Sequence, residues 1–211
     1  MAARRLVLVA GTHALRDFEA LEKLADRGPV VALPWWHPRS AFANAARAHG
    51  LTLVDDARPF IWSTDLDGVL GENTTWHASG WALIYYAAAH GVDELDVLAH
   101  SHGAEVAVFA ACYAATYGVR VRRLLTVCAP VRRDMQRFRR RARGSVDDWI
   151  AVASDGDWWK PAGQLMDGQV GDAPKMPEAN NLVIPGYGHT GLLDDPTAFE
   201  REGLWPLLRA A

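Results

Sequence analysis

The fold of this chain is decided by residues 96–105, which have the sequence Asp96-Val97-Leu98-Ala99-His100-Ser101-His102-Gly103-Ala104-Glu105. The run that ends at Leu98 is short and apolar, as in a buried strand, and the residues after Gly103 predict a packed helix. A serine between such a strand and such a helix lies in a tight turn, which lifts its hydroxyl out of the surrounding structure. We therefore interpret Ser101 as a candidate nucleophile, which would need a base and an oxyanion site beside it.

Two small residues flank the serine, with Ala99 two positions before Ser101 and Gly103 two positions after it. A strand-to-helix turn requires small residues there because it brings the strand and helix backbones together. The pattern is Ala-x-Ser-x-Gly, and it departs from Gly-x-Ser-x-Gly because Ala99 carries a methyl group. A simpler alternative also fits the motif, in which the serine only ends a turn and caps the helix.

The Ala-His-Ser-His-Gly turn resembles the nucleophile elbow of the α/β-hydrolase superfamily. Within that superfamily it is similar to small serine esterases and lipases whose elbow begins with Ala-His-Ser. The resemblance covers nearly the whole chain in element order, although its specific residues lie only in the elbow, an acid loop and a histidine loop. It implies a three-layer α/β/α sandwich with a mostly parallel sheet and a minimal cap.

The order of apolar runs along the chain independently predicts an α/β fold. Strand patterns alternate with helical patterns and never form a block of strands alone, which favours a parallel sheet with helices on both faces. The predicted strands are residues 6–10, 30–33, 58–64, 95–99, 121–129, 149–154 and 181–185, and the predicted closing helix is residues 196–208.

A candidate acid and a candidate base follow the serine in the chain. Asp157 follows a predicted strand and precedes a proline by four positions, which resembles the acid loop of the superfamily, with Asp155 as the alternative acid. His189 lies in a glycine-rich loop after the last predicted strand. It is the histidine that completes the order Ser, Asp, His used by this superfamily. Without a histidine downstream, the Asp-Gly pair would indicate only a turn.

The resemblance also implies two backbone donors for an oxyanion. By position they are the N–H of Thr12, in the loop after the first strand, and the N–H of His102, directly after the nucleophile. The usual His-Gly before the first donor is Ala10-Gly11 in this chain. The alternative for this loop is an ordinary strand-to-helix turn.

Length and composition favour one domain spanning residues 1–211. Half of the residues are hydrophobic and 22% are charged, which is ordinary for a globular protein. The net charge of −3 predicts no nucleic-acid partner.

Cys112 and Cys128 lie in apolar surroundings and are expected to act as small hydrophobic residues rather than as a disulfide. The apolar run near the N-terminus is too short for a signal peptide or a membrane span, so we expect a cytoplasmic protein.

These observations predict a serine hydrolase that cleaves carboxylic esters of small molecules or lipids, with no cofactor and no metal. His100 and His102 raise the alternative of a metal site, but no further ligand motif accompanies them. Nucleotide-binding glycine motifs are absent after the first strand. A non-catalytic binding protein, or an acyltransferase or lyase that uses the same triad, remains open. The sequence does not determine the oligomeric state.

Residues 132–143 contain seven arginines in twelve positions. Such a run predicts a solvated basic surface. The alternative is a basic lid whose Met135 and Phe138 contact a membrane with anionic lipids.

Overall fold

The computed structural model of the chain describes residues 4–11, 33–62, 74–132, 134–157 and 175–209. Within these residues the strands form one parallel sheet, and the spatial order of the strands is the same as their order in the chain. The strands are β1 (Arg4–Val9), β2 (Glu94–His100), β3 (Arg120–Val127), β4 (Asp148–Ser154) and β5 (Asn180–Ile184). The helices are α1 (Ala41–Ala48), α2 (Thr74–Ala89), α3 (Gly103–Tyr113), α4 (Gln136–Arg143), α5 (Gly191–Asp194), α6 (Pro196–Arg201) and α7 (Trp205–Arg209), and a 3-10 turn (Ala114–Tyr117) follows α3.

Hydrophobic clusters cover both faces of the sheet. Alternate residues of a strand point to opposite faces, and accordingly Val97 of β2 belongs to one cluster and Leu98 to the other. The cluster around Val97 includes side chains of α2, α3 and α4, whereas the cluster around Leu98 includes side chains of α1, α6 and α7. The predicted three-layer sandwich with a parallel sheet is therefore confirmed.

The parallel register gathers the carboxyl ends of all five strands at one edge. Its last paired residues include Val9 with Ala99, His100 with Val127, and Ser154 with Ile184. The chain segments that leave these strands therefore begin side by side. This edge is where open α/β sheets place their ligands, and it holds each described residue to which we assigned a chemical role.

The strand predicted for residues 58–64 is wrong in its described part, because residues 58–62 form no strand. Pro59 has no N–H to donate to a ladder, and the Asp55 carboxylate accepts hydrogen bonds from the N–H groups of Ala57 and Arg58, which makes a turn. The segment that pairs beside β1 lies earlier in the chain, where Leu53 forms an isolated parallel bridge with Leu6. The predicted strand 30–33 lies almost entirely outside the described residues.

The closing helix predicted for residues 196–208 is two helices, α6 and α7. Gly203 separates them with a φ of 68°, in the left-handed region that ends a helix. Both helices nevertheless pack on one face of the sheet, because Phe199 of α6 and Trp205 of α7 belong to the same buried cluster as Leu98. Their ring centroids are 4.5 Å apart.

The arginine-rich segment forms α4 and packs against α3 rather than standing apart as a lid. Met135 and Phe138 are buried in the core, so in this conformation neither side chain is available to a membrane. The description of a solvated basic face is correct for the exposed Arg137, Arg140 and Arg143, and wrong for Arg139. The Arg139 side chain is buried, with its Nε 3.1 Å from an oxygen of Glu178.

Among the residues that the structure describes, no helix is long and apolar enough to cross a bilayer.

Gly103 offers a direct test of this packing. A Cβ atom at position 103 would overlap the carbonyl oxygen of Ala10 and would lie 2.8 Å from that of Val9. We expect Gly103→Ala to lower the free energy of unfolding by about 1–3 kcal/mol, because backbone cannot move aside without shifting β1 or α3. Urea denaturation measures this change.

The matched control is Gly144→Ala at the end of α4, where the nearest atom to an added Cβ is 3.5 Å away. We expect it to change the free energy of unfolding by less than about 0.5 kcal/mol. Equal effects of the two substitutions would contradict the close approach at Gly103.

Candidate active site

Ser101 lies in the turn that joins β2 to α3. Its φ is 51°, in the left-handed region that residues with a side chain rarely adopt. The turn is held from both sides, because the Ser101 N–H donates to Val127 O at 3.0 Å and the Ser101 carbonyl accepts from Ala104 N at 3.0 Å. A strained serine between a strand and a helix is the geometry expected of a nucleophile elbow.

The end of β1 approaches this turn closely. A Cβ atom on Gly11 would lie 3.0 Å from the Ser101 Cβ and 3.1 Å from the His100 Nδ1. Glycine at position 11 therefore lets the backbone after β1 run directly beside the serine. Thr12, the next residue and the first predicted oxyanion donor, lies outside the described residues.

The structure brings His189 and Asp157 together. The His189 Nδ1 lies 2.8 Å from the Asp157 Oδ2, and Asp157 is only 3% exposed. An ionised carboxylate can only accept hydrogen bonds, so Nδ1 carries the proton and donates. In the neutral imidazole this tautomer leaves Nε2 as the nitrogen that can accept a proton.

The acid loop and the histidine loop are tied to each other by several short contacts. The Ser154 hydroxyl donates to Tyr187 O at 2.6 Å and accepts from Tyr187 N at 3.1 Å. A Cβ atom on Gly156 would lie 2.5 Å from Tyr187 O, so only glycine lets the loops pass this closely. These contacts set the position of His189, because it follows Tyr187 by two residues.

Asp155 has a different partner from Asp157. Its Oδ1 accepts a hydrogen bond of 2.7 Å from Gly186 N, at the start of the histidine loop. Asp157 contacts the imidazole of His189, whereas Asp155 contacts the backbone of the same loop. The geometry therefore distinguishes the two carboxylates that the sequence left as alternatives.

His100 connects the elbow to the histidine loop. Its ring centroid lies 4.5 Å from that of His189, and its Nε2 donates to the His189 carbonyl at 2.9 Å. Burial lowers the pKa of His100 to about 3, with a further contribution from nearby His189. His100 is thus a neutral, buried side chain that holds the backbone of the candidate base.

His102, which supplies the second predicted oxyanion donor, precedes the first turn of α3. Its ring stacks on Trp76 with centroids 5.8 Å apart, and the Arg132 guanidinium lies 4.5 Å from the centroid of Trp76. Burial and, secondarily, the Arg132 charge lower the pKa of His102 to about 4. Neither histidine beside Ser101 therefore carries a charge at neutral pH.

Cys128 joins this site, although the sequence predicted only a small hydrophobic residue there. It directly follows β3, and its thiol and one ligand atom each of Asp157 and His189 all lie within 4.8 Å of one another. Its place directly after a strand of the parallel sheet was a signal that could have indicated it. Trp35 and Trp36, by contrast, are buried core residues, and Trp35 packs edge-on against both Phe42 and His100.

The neutral state of His100 predicts a pH dependence of stability. An unfolded chain protonates His100 near its ordinary pKa of about 6.5, whereas the folded chain does not until about pH 3. Proton uptake therefore favours unfolding below pH 6.5, and the contribution of His100 to stability is lost as the pH falls. Between pH 7 and pH 5 this loss is about 2 kcal/mol.

Urea denaturation of wild type and of His100→Gln at pH 7 and pH 5 measures this effect. We expect the free energy of unfolding of the variant to fall by about 2 kcal/mol less over this interval. An equal fall in both proteins would contradict a neutral buried imidazole at this position.

No protein-family model matches this chain, and no curated protein matches it. Solved structures do resemble it. A protein named as a CIB-like hydrolase from Thermoplasma acidophilum aligns with a TM-score of 0.55 at 12% identity, over 95% of this chain and 84% of its own. A protein named as a non-heme bromoperoxidase, BpoC, from Mycobacterium tuberculosis aligns with a TM-score of 0.52 at 15% identity, over 100% of this chain and 94% of its own. Both neighbours are α/β-hydrolase fold proteins. This chain has the α/β-hydrolase fold.

Proposed function

We propose that this protein is a serine hydrolase that cleaves carboxylic esters through an acyl-enzyme intermediate. The observation that carries the proposal is the 2.8 Å hydrogen bond between His189 and the buried Asp157, at the same sheet edge as the strained Ser101. A base that a carboxylate orients beside a serine hydroxyl is the arrangement that activates the serine.

In the proposed reaction, the Ser101 Oγ attacks the ester carbonyl while the His189 Nε2 takes the serine proton. His189 then gives this proton to the leaving alcohol, and the C–O bond of the ester breaks. Water repeats the two steps on the acyl-enzyme and releases the acid. Asp157 holds the imidazole in the correct tautomer and stabilises its charged form.

The developing oxyanion would be bound by the backbone N–H groups of Thr12 and His102. The position of His102 at the start of α3 supports its role, because the N–H groups at a helix N-terminus have no acceptor within the helix and therefore bind negatively charged atoms. The close approach of Gly11 to Ser101 supports the role of Thr12.

The electrostatics of the serine turn favour His189 as the base. Burial lowers the pKa values of His100 and His102 to about 3 and about 4. Imidazoles with such values are weak proton acceptors at neutral pH. Both flanking rings therefore serve as walls of the site.

Trp35 packs against His100, and Trp76 packs against His102, so aromatic rings hold both imidazoles that flank Ser101. Both tryptophans are buried, so their role in the proposed site is to fix these imidazoles rather than to contact the ester.

Covalent labelling tests Ser101 directly. We expect one fluorophosphonate adduct per wild-type chain, mapped to Ser101 by intact mass and peptide mass spectrometry. Ser101→Ala should give no adduct and a kcat lower by about four to six orders of magnitude, because the nucleophile is absent. Ser145→Ala is the control, since this exposed serine just after α4 donates to Arg141 O, away from the candidate site.

An adduct that persists in Ser101→Ala would contradict the assignment of the nucleophile. The absence of any adduct on folded wild-type protein would favour a non-catalytic binding protein with this fold.

Replacement of the two neighbouring aspartates tests the base. Asp157→Asn should lower kcat by about 10⁴-fold, because an amide no longer selects the tautomer with a proton on Nδ1. Asp155→Asn leaves the Asp157 carboxylate in contact with His189, so it should lower kcat far less, although it weakens the hydrogen bond with Gly186 N. Hydrolysis of a p-nitrophenyl ester measures both rates, and thermal unfolding verifies that both variants fold. A larger loss for Asp155→Asn would assign the acid to Asp155.

A further inference from the structure

Three side chains that can each bind a metal lie close together in this structure, namely those of Cys128, Asp157 and His189. One sulfur, one carboxylate oxygen and one imidazole nitrogen all lie within 4.8 Å of one another. The three residues follow β3, β4 and β5, whose ends the parallel register makes neighbours. Cys128 and Asp157 are 4% and 3% exposed, and the His189 side chain is 21% exposed.

The backbone holds the Cys128 side chain in this place. Cys128 has a φ of 51°, and its N–H donates to Val152 O at 2.9 Å. Among the described residues, the only other position with a side chain and a positive φ is Ser101. A left-handed cysteine is strained unless the surrounding structure fixes it, and here the strain lies at the candidate active site.

We propose that these three side chains form a site for a thiophilic divalent cation of the Zn²⁺ class, and that the bound ion inhibits the hydrolase. Thiolate, imidazole and carboxylate are the ligands that Zn²⁺ takes in proteins, and three protein ligands leave a fourth position for water. The anionic thiolate and carboxylate balance the charge of a divalent ion, which removes the main cost of placing it in a buried site.

Binding rearranges the hydrogen bond between His189 and Asp157. Tetrahedral ligands about 2.1 Å from Zn²⁺ stand roughly 3.4 Å apart, which is longer than the present 2.8 Å between these atoms. If the ion binds Nδ1 and Oδ2, it therefore replaces this hydrogen bond rather than adding to it. The Cys128 thiol loses its proton to solvent when the sulfur binds the metal.

Inhibition follows for either nitrogen of His189. If the ion binds Nδ1, the neutral imidazole carries its proton on Nε2, which can then no longer accept the proton of Ser101. If the ion binds Nε2, the metal itself occupies the lone pair. In both cases the base is lost, so metal binding and ester hydrolysis exclude each other. This consequence rests on the proposed function, whereas the binding site does not.

The test compares Zn²⁺ binding by wild type, Cys128→Ser and Cys112→Ser. Cys112 is the matched control because it is also a buried thiol, but its Sγ donates to Phe138 O and it belongs to the cluster on the other face of the sheet. We expect isothermal titration of Zn²⁺ to give about one site per chain for wild type and for Cys112→Ser, with at least tenfold weaker binding for Cys128→Ser. Substitution of Co²⁺ should produce a thiolate-to-metal absorption band only when Cys128 is present.

The hydrolysis assay is run in parallel, with each variant compared with its own metal-free rate. Zn²⁺ should inhibit wild type and Cys112→Ser, and the concentration for half inhibition should rise at least tenfold in Cys128→Ser. If Cys128→Ser does not fold, as judged by circular dichroism, Cys128→Ala replaces it.

Equal Zn²⁺ affinity in wild type and in the Cys128 variant would overturn the site, as would the absence of the cobalt–thiolate band in wild type. Full hydrolysis with the site saturated would overturn the inhibition. Metal binding at Cys128 without any esterase activity would support the site and contradict the proposed function. Esterase activity without metal binding would support the proposed function and contradict the metal site.

Discussion

Helix α3 begins so close to β1 that position 103 has no space for a side chain. An added Cβ would overlap the Ala10 carbonyl oxygen, and this contact determines how sharply the chain turns after β2. The sharp turn forces Ser101 into the left-handed region and sets it beside Gly11. The strain at the serine is therefore a consequence of packing between a helix and a strand, and the rest of the site is arranged around this fixed point.

The candidate base is positioned by its neighbours rather than by its own loop. Ser154 and Asp155 hold the backbone of residues 186 and 187, and His100 donates to the carbonyl of His189. Each of these contacts crosses from one strand end to another, so the parallel sheet is what makes them possible. A buried neutral His100 can fill this role because burial keeps its pKa far below neutrality. The same burial makes the contact sensitive to acid.

In the proposed metal site, Cys128 would give this sheet edge a second chemistry that competes with the proposed hydrolysis. A serine hydrolase needs His189 to exchange protons, whereas a thiophilic ion needs the same imidazole as a ligand. Both proposed uses arise because three adjacent strands bring a thiol, a carboxylate and an imidazole to one place. The sheet edge that gathers the proposed triad thus also gathers the proposed metal ligands.

Local patterns in the sequence determined the five parallel strands β1 to β5, the serine turn and the order of serine, acid and histidine, because these features depend on near neighbours in the chain. They did not determine the break at Gly203, the turn that replaces a strand near Pro59, or which aspartate contacts His189. Those outcomes, and the approach of Cys128 to the same imidazole, were decided by the tertiary structure. The physical reason is that they depend on contacts between residues far apart in the chain, whose distances are set by the register of the sheet and the packing of its helices.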